Sequence, residues 1–376
     1  MERIPATLVN VEPRGLILTT GRVVRTLKDG YWDRTEVVEL GDGSRRVRKS
    51  AKGGGPPGPW GVAALRKEIA YLSTLPEPAR AAFPPVLAAW DDGWEPASAE
   101  TPQVGYEIPF YADHTDAGAL ARKGALAQAE IDLFQERLAT ALFEGVHPAA
   151  IGPATPASEP LSAHVVSVVA EALRALAADP DLERLIDAES IRLNGEPQAG
   201  PRAAFARALA DGAIVAALDA EPQVRLHGDL LLENVLWRRA DGEAGPVGPR
   251  LLLIDPVSVA GVERGPPLFD LVKYESYATG ELPALRFEWL DVGGFEDRAD
   301  YWSRIRWGSP ELAPFRTFDW HTRFRRAFEA RYGAVNRRAY RLIDGYFSVA
   351  MAVNTGGAQR RARLLKAVSD FNAAAG

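Results

Sequence analysis

The segment Leu226-His227-Gly228-Asp229-Leu230-Leu231-Leu232-Glu233-Asn234-Val235-Leu236-Trp237 holds an Asp and an Asn five residues apart between apolar runs. A second Asp closes the apolar strand Leu252-Leu253-Ile254-Asp255-Pro256. Asp229 and Asn234, so spaced, share one tight loop. Such a trio suits phosphoryl transfer to a hydroxyl. One carboxylate orients the attacking hydroxyl and accepts its proton, while two oxygen ligands hold Mg²⁺ on a triphosphate, because this hard cation takes oxygen donors. On this reading Asp229 is the catalytic carboxylate, and Asn234 and Asp255 are the metal ligands. Singly, a His-Gly-Asp is most often a turn, and an Asp after an apolar strand is often a helix cap. The Asp-x4-Asn spacing with apolar runs on both sides favours the site. His227 reads as a buried ring bridging loop backbone, not as a base, and the other histidines show no ligand-like spacing.

The elements that must carry these groups fall into two parts. Residues 23–27, 35–40 and 46–49 read as strands, parted by Lys28-Asp29-Gly30 and by the hairpin signal Gly41-Asp42-Gly43. A connection over 53–61 is too rich in Gly and Pro for helix or strand. A helix follows over 62–75, with Leu65, Ile69 and Leu72 at helical spacing and Pro76 as its stop. Residues 84–90 and 103–108 read as two further strands. Beyond Asp113 the chain is mainly helical, with alanine-rich amphipathic segments at 120–143, 162–186 and 203–218. Asp179-Pro180 and Gly195-Glu196-Pro197 act as breakers. The sequence therefore predicts an α+β, two-lobed fold. Residues 1–110 form a small antiparallel β-sheet lobe with one helix, which binds nucleotide, and 111–376 form a larger, mainly helical lobe with the catalytic loop and acceptor site. The hinge falls near 108–111.

Composition limits the alternatives. A net charge of -6 is a poor starting point for nucleic-acid binding, which needs a basic face to release counterions. No cysteine is present, so disulfides and thiolate chemistry are excluded. The N-terminal Met1-Glu2-Arg3-Ile4-Pro5 lacks a secretory layout and no apolar stretch is long enough to span a bilayer, so no membrane partner and a cytoplasmic setting are expected.

The 226–237 segment resembles the HGDxxxxN loop of the aminoglycoside phosphotransferase and choline kinase-like family, which shares the protein-kinase fold. Ile254-Asp255-Pro256 resembles its metal-binding segment. Gly265-Pro266-Pro267-Leu268-Phe269-Asp270-Leu271 is similar to the family's Gly-x-Pro-x-x-Asp-Leu stretch. The resemblance implies that Asp270 braces the catalytic loop through backbone amides, though an N-cap of the next helix would also suit it. It further implies a strand lysine on the phosphates and a helix glutamate to hold it. Lys49 shares a strand face with Val47, and Glu68 lies beside the buried stripe of its helix, where a carboxylate is costly unless paired. Lys52 is the competing lysine, at the edge of the glycine run. At the hinge, Pro109 keeps a carbonyl and Tyr111 an N–H for a nucleobase; an ordinary edge strand reads the same. The implied activity is transfer of the γ-phosphoryl group of ATP or GTP, with Mg²⁺, to a small-molecule hydroxyl. A sugar, cyclitol, nucleoside-type natural product or aminoglycoside would serve, in antibiotic resistance or metabolite biosynthesis.

A protein kinase and a catalytically inactive nucleotide-binding module are the alternatives. Lys28-Asp29-Gly30-Tyr31-Trp32-Asp33 stands where protein kinases carry a Gly-x-Gly-x-x-Gly loop, which argues against a protein substrate. An inactive scaffold need not keep Lys49, Glu68, Asp229, Asn234 and Asp255 together. Arginines crowd residues 301–341 among Trp302, Trp307, Phe315, Phe318 and Trp320. Either a neutral or anionic acceptor or a solvated helical face over aromatic core would give that pattern.

Overall fold

A computed structural model describes residues 21–30, 33–52, 58–93, 104–149, 160–220, 222–239, 249–257, 261–296 and 300–376, with the side chains of 58–60 excepted. Strands β1 (Arg22–Asp29), β2 (Asp33–Glu39) and β3 (Arg45–Ala51), helix α1 (Gly58–Ser73), and strands β4 (Ala88–Asp91) and β5 (Val104–Pro109) make the first part. Its antiparallel sheet has the order β1-β2-β3-β5-β4. The alternation of β3 explains how it can be both apolar and charged. Arg46 and Arg48 both reach Glu107 on the neighbouring strand, at 3.1 and 2.7 Å. Lys49 and Ala51 are buried on the other face, where Ala51 and the partly buried Val47 pack with Val62, Leu65, Val104, Tyr106 and Ile108.

The second part opens with β6 (His114–Asp116), α2 (Ala117–Lys123), α3 (Gln128–Thr140), α4 (Leu161–Ala177) and α5 (Pro180–Asp187). The hairpin β7 (Ser190–Leu193) and β8 (Glu196–Ala199) leads to α6 (Pro201–Ala210) and α7 (Gly212–Leu218). Short strands β9 (Val224–Arg225), β10 (Val235–Arg238), β11 (Leu251–Leu253) and β12 (Arg264–Gly265) frame the site. After them come α8 (Leu268–Ala278), α9 (Glu281–Arg286), β13 (Leu290–Gly293), β14 (Trp302–Ile305), α10 (Ala313–Thr317), α11 (Thr322–Tyr332), α12 (Arg337–Ala352) and α13 (Gly357–Ala375). Every residue of α8 is buried, so this helix is the axis of the lobe and not a surface element. No helix among the described residues is long and apolar enough to cross a membrane.

The structure differs from the sequence reading where breakers have a second use. Helix α1 starts at Gly58, inside the supposed connection, because proline is tolerated in a first helical turn. The strand expected over 84–90 shrinks to β4, since Pro84 and Pro85 cannot donate to a ladder. Gly124, at φ 56°, splits the helix expected over 120–143. Asn194 and Gly195, at φ 53° and 85°, form the turn of the β7–β8 hairpin, where the sequence suggested only a helix break.

Candidate active site

The loop between β9 and β10 is held from three directions. The His227 ring is wholly buried and bridges backbone: its Nε2 lies 3.0 Å from the Ile254 carbonyl, and the Asp229 amide donates to Nδ1 at 3.3 Å. Gly228 takes φ 79°, and a Cβ there would sit 2.6 Å from the Val262 carbonyl oxygen, so only glycine fits the turn. The Asp270 carboxylate, fully buried on α8, accepts from the His227 amide at 2.8 Å and the Gly228 amide at 2.9 Å; His147 Nε2 adds a contact at 3.2 Å. Asp270 is the third residue of α8 and caps nothing, because Pro267 holds the N-cap position. The N-cap alternative for Asp270 therefore does not hold.

Within the loop, Asn234 Nδ2 donates to the Asp229 carbonyl at 2.8 Å and to Asp229 Oδ2 at 3.0 Å. No donor among the described residues meets the Asn234 side-chain oxygen Oδ1. Asp229 Oδ1 is met by Lys273 Nζ at 2.9 Å, and that ammonium also lies over the Phe347 ring at 4.3 Å. Strand β11 lies antiparallel to β10, and the Ile254 amide donates to the Asn234 carbonyl at 2.9 Å, which puts Asp255 beside the loop. Asp255 and Val257 have φ of 53° and 58°, and the Val257 amide is tied to the His227 carbonyl at 2.7 Å. A β-branched residue in that region is strained, and backbone of this kind concentrates at functional sites.

From the sheet lobe, Lys49 Nζ reaches Glu68 at 2.8 Å, Asp33 at 3.3 Å and, across the gap, Asp255 Oδ1 at 3.0 Å. Tyr106 donates to Glu68 at 2.7 Å. Lys49 and Glu68 are each only 5% exposed. Lys52 turns instead to Asp29, at 2.7 Å. Lys28, at the end of β1, points to Asp255 at 3.8 Å; Tyr31 and Trp32 lie outside the described residues. Pro109 ends β5 opposite Arg46, and the Tyr111 carbonyl accepts from the His114 amide at 3.3 Å. The structure thus brings Lys49, Glu68 and Asp255 into one ion-pair group, and Asp229 and Asn234 into another beside it. Pro109 and Tyr111 stand at the segment joining the lobes and make no contact with either group.

Burial raises the Asp229 carboxyl, but Lys273 pulls it down further, so it lies below the ordinary carboxylate range. Asp255 is lowered in the same way, with Lys49 and then Lys28 outweighing burial. Burial would deprotonate Lys49, yet Asp255 and Glu68 hold it firmly charged. Glu68 is pushed up to about 7, chiefly by burial, against the pull of Lys49. Burial lowers the His227 imidazole, which keeps it neutral and suited to its bridging role.

Sequence reasoning missed Lys273, although its spacing of three from Asp270 puts both on one face of α8. It also missed Asp33, Tyr106 and the group around Glu233, which Arg122 meets at 2.8 Å, Tyr277 at 2.9 Å and Arg286 in a short contact. These partners come from distant segments and carry no local signal. Much of the arginine and aromatic crowding at 301–341 is structural. Arg323 pairs with Asp132, Arg325 with Glu275, and Arg338 with Asp211, while Trp320, Phe324 and Phe328 are core.

No protein-family model and no curated protein matches this sequence. Solved structures similar to the chain include a microcompartment-associated aminopropanol kinase, 13% identical over 94% of this chain and 91% of that one, TM-score 0.49. An aminoglycoside phosphotransferase from Alicyclobacillus acidocaldarius is 13% identical over 94% and 90%, TM-score 0.45. A glucosamine kinase in complex with glucosamine, ADP and inorganic phosphate is 17% identical over 93% and 92%, TM-score 0.40. At such identities the likeness is one of architecture, and the site stands on its own geometry. The elements described above make an α+β fold, an antiparallel sheet part with one helix beside a larger, mainly helical part, and the solved structures it is similar to are named as kinases and phosphotransferases.

Proposed function

We propose that the chain is a phosphotransferase that moves the γ-phosphoryl group of ATP or GTP to a hydroxyl of a small molecule. The observation that carries this reading is Lys49 of the sheet lobe meeting Asp255 of the helical lobe at 3.0 Å, beside the Asp229–Asn234 pair. Residues 1–110 then serve as the nucleotide lobe and 111–376 as the acceptor lobe. Lys49, anchored by Glu68, binds phosphate oxygens, and Lys28 covers them from the β1 end in place of a glycine-rich loop. Pro109 and Tyr111 face the nucleobase.

The donors fit Mg²⁺: Asp255 is an anionic oxygen ligand, and the side-chain amide oxygen of Asn234 is a neutral one. Among the described residues no group of three or more His, Cys, Asp or Glu could hold a metal, so phosphate oxygens and water would complete the shell. When bound, Mg²⁺ neutralises triphosphate charge. Asp229, held anionic, orients the acceptor hydroxyl and takes its proton as the hydroxyl oxygen bonds to the γ-phosphorus and the bond from that phosphorus to the β,γ-bridging oxygen breaks, releasing the nucleoside diphosphate. A carboxylate this acidic is a weak base, which suits a loose transition state in which proton transfer comes late. Lys273 fixes the Asp229 carboxylate in place.

The test is Mg²⁺-dependent consumption of ATP and GTP by the purified chain, against sugars, cyclitols, nucleosides, aminoglycosides and a generic protein substrate. Turnover that depends on a small hydroxylated acceptor supports the reading. Turnover with the protein substrate alone, or absence of nucleotide binding, refutes it.

A further inference from the structure

Asp229 and Glu233 lie on the loop between β9 and β10, and the cations that meet them outnumber them. Lys273 sits on Asp229 at 2.9 Å, Arg122 on Glu233 at 2.8 Å, and Arg286 contacts Glu233 as well. A fourth cation, Arg363, stands behind Arg286. Gln359, one turn earlier on α13, donates to the carbonyls of Leu285 at 3.1 Å and Arg286 at 3.0 Å. Ala362 packs with Leu285 and Leu290. This face of α13 therefore rests on the end of α9, beside Arg286. Arg363 is 3% exposed, its Nε is wholly buried without a hydrogen-bond partner, and no carboxylate among the described residues pairs with it. Burial, with Arg286 adding to it, lowers its guanidinium to about 10.

An unpaired buried guanidinium is costly, so an anionic ligand group that reached it would supply the missing counter-charge. Arginine's planar fork matches carboxylate and phosphate oxygens. Resting on the phosphotransferase reading above, we infer that the acceptor carries an anionic group, a carboxylate or a phosphate monoester, held by Arg363 and Arg286 while its hydroxyl faces Asp229. Lys273 neutralises Asp229, so an anion can approach it without repulsion. Two adjacent guanidiniums, one of them without a carboxylate partner among the described residues, disfavour a polyamine acceptor in the same place.

The experiment compares acceptors that differ in one group. These are glycerate, glycerol 3-phosphate, glycerol and 3-amino-1,2-propanediol, together with gluconate, glucose 6-phosphate, glucose and glucosamine. Each is assayed with Mg²⁺-ATP using wild type, Asp229→Ala, Arg363→Met and Arg363→Lys. The expected result is a kcat/KM at least tenfold higher for an anionic member than for its neutral and amine counterparts. That ratio falls at least tenfold in Arg363→Met and partly recovers in Arg363→Lys. Carboxylate and phosphate sources are told apart by which anionic arm responds. A panel in which no anionic member exceeds its counterparts, or a ratio unchanged in Arg363→Met, overturns the inference. If neutral or amine acceptors are turned over in an Asp229-dependent way at least as well as their anionic counterparts, the phosphotransferase reading stands and this inference alone fails. If no member drives Asp229-dependent consumption and nucleotide does not bind, both fall. Thermal unfolding of Arg363→Met checks folding, and removal of a buried unpaired charge should not lower its midpoint.

Discussion

Asp270 offers the sharpest test of how the catalytic loop is held. Its carboxylate has no exposed surface and accepts two backbone amides, from His227 at 2.8 Å and Gly228 at 2.9 Å. Asp270→Ala removes both acceptors and leaves two buried N–H groups without partners. At roughly 1–3 kcal/mol for each, the loss comes to about 2–6 kcal/mol. That is a large part of the roughly 5–15 kcal/mol by which a folded chain is stable. Asp270→Asn has nearly the same shape but one acceptor oxygen; its amide nitrogen meets an N–H, so one donor is orphaned and the expected loss is about half. The loop carries Asp229, and a displacement of about 1 Å there can cost on the order of 10² in rate. Urea unfolding gives the stability difference, and kcat against nucleotide KM shows where activity is lost. The order expected is wild type, then Asn, then Ala, in both stability and kcat, with nucleotide KM changed least. An Asp270→Asn protein equal to wild type in both would refute the brace.

Asp229→Ala should lower turnover by about 10² or more and leave nucleotide binding nearly intact, checked by isothermal titration beside steady-state kinetics. Asp255→Ala should instead weaken Mg²⁺-nucleotide binding itself, seen as a raised Kd in the same titration. Lys273→Met removes the charge that outweighs burial at Asp229, so its carboxyl rises. The acid limb of the kcat/KM profile should then move to higher pH, and an unmoved limb would show that Lys273 does not set it. The sign for stability agrees: Asp229 is depressed in the folded state, so its contribution is present above the unfolded carboxylate value and lost as pH falls through the folded one. Gly228→Ala should be destabilising beyond its lost flexibility, since its Cβ meets a backbone oxygen at 2.6 Å and φ stays positive. A melting curve matching wild type would contradict that.

How legible the molecule was depended on whether the signal was local. The Asp-x4-Asn loop and the Asp after an apolar strand can be read because apolar runs on each side force a tight turn between them. Glu68 was legible because a charge on the buried stripe of α1 must have a partner. By contrast, Lys273, Asp33 and Arg286 reach the site from segments far from the loop in sequence, and nothing beside them says so. The breaker Gly195-Glu196-Pro197 misled for a different reason. A glycine that ends a helix can also make a two-residue hairpin turn, here with Asn194, and only the pairing of Ile191 with Gln198 decides between them. The arginines of 301–341 left two readings open because sequence shows charge but not whether it is already paired.

Helix α8 carries Asp270, Lys273 and Tyr277, which hold respectively the amides of His227 and Gly228, the carboxylate of Asp229, and Glu233. Anyone transplanting this loop into a related scaffold, or recombining halves of two such proteins, therefore has to move residues 226–237 and 268–278 as one cassette. A crossover between them would join a loop to a helix that does not know its shape. Exposed positions outside these two segments can vary freely by comparison, because all three anchors are buried.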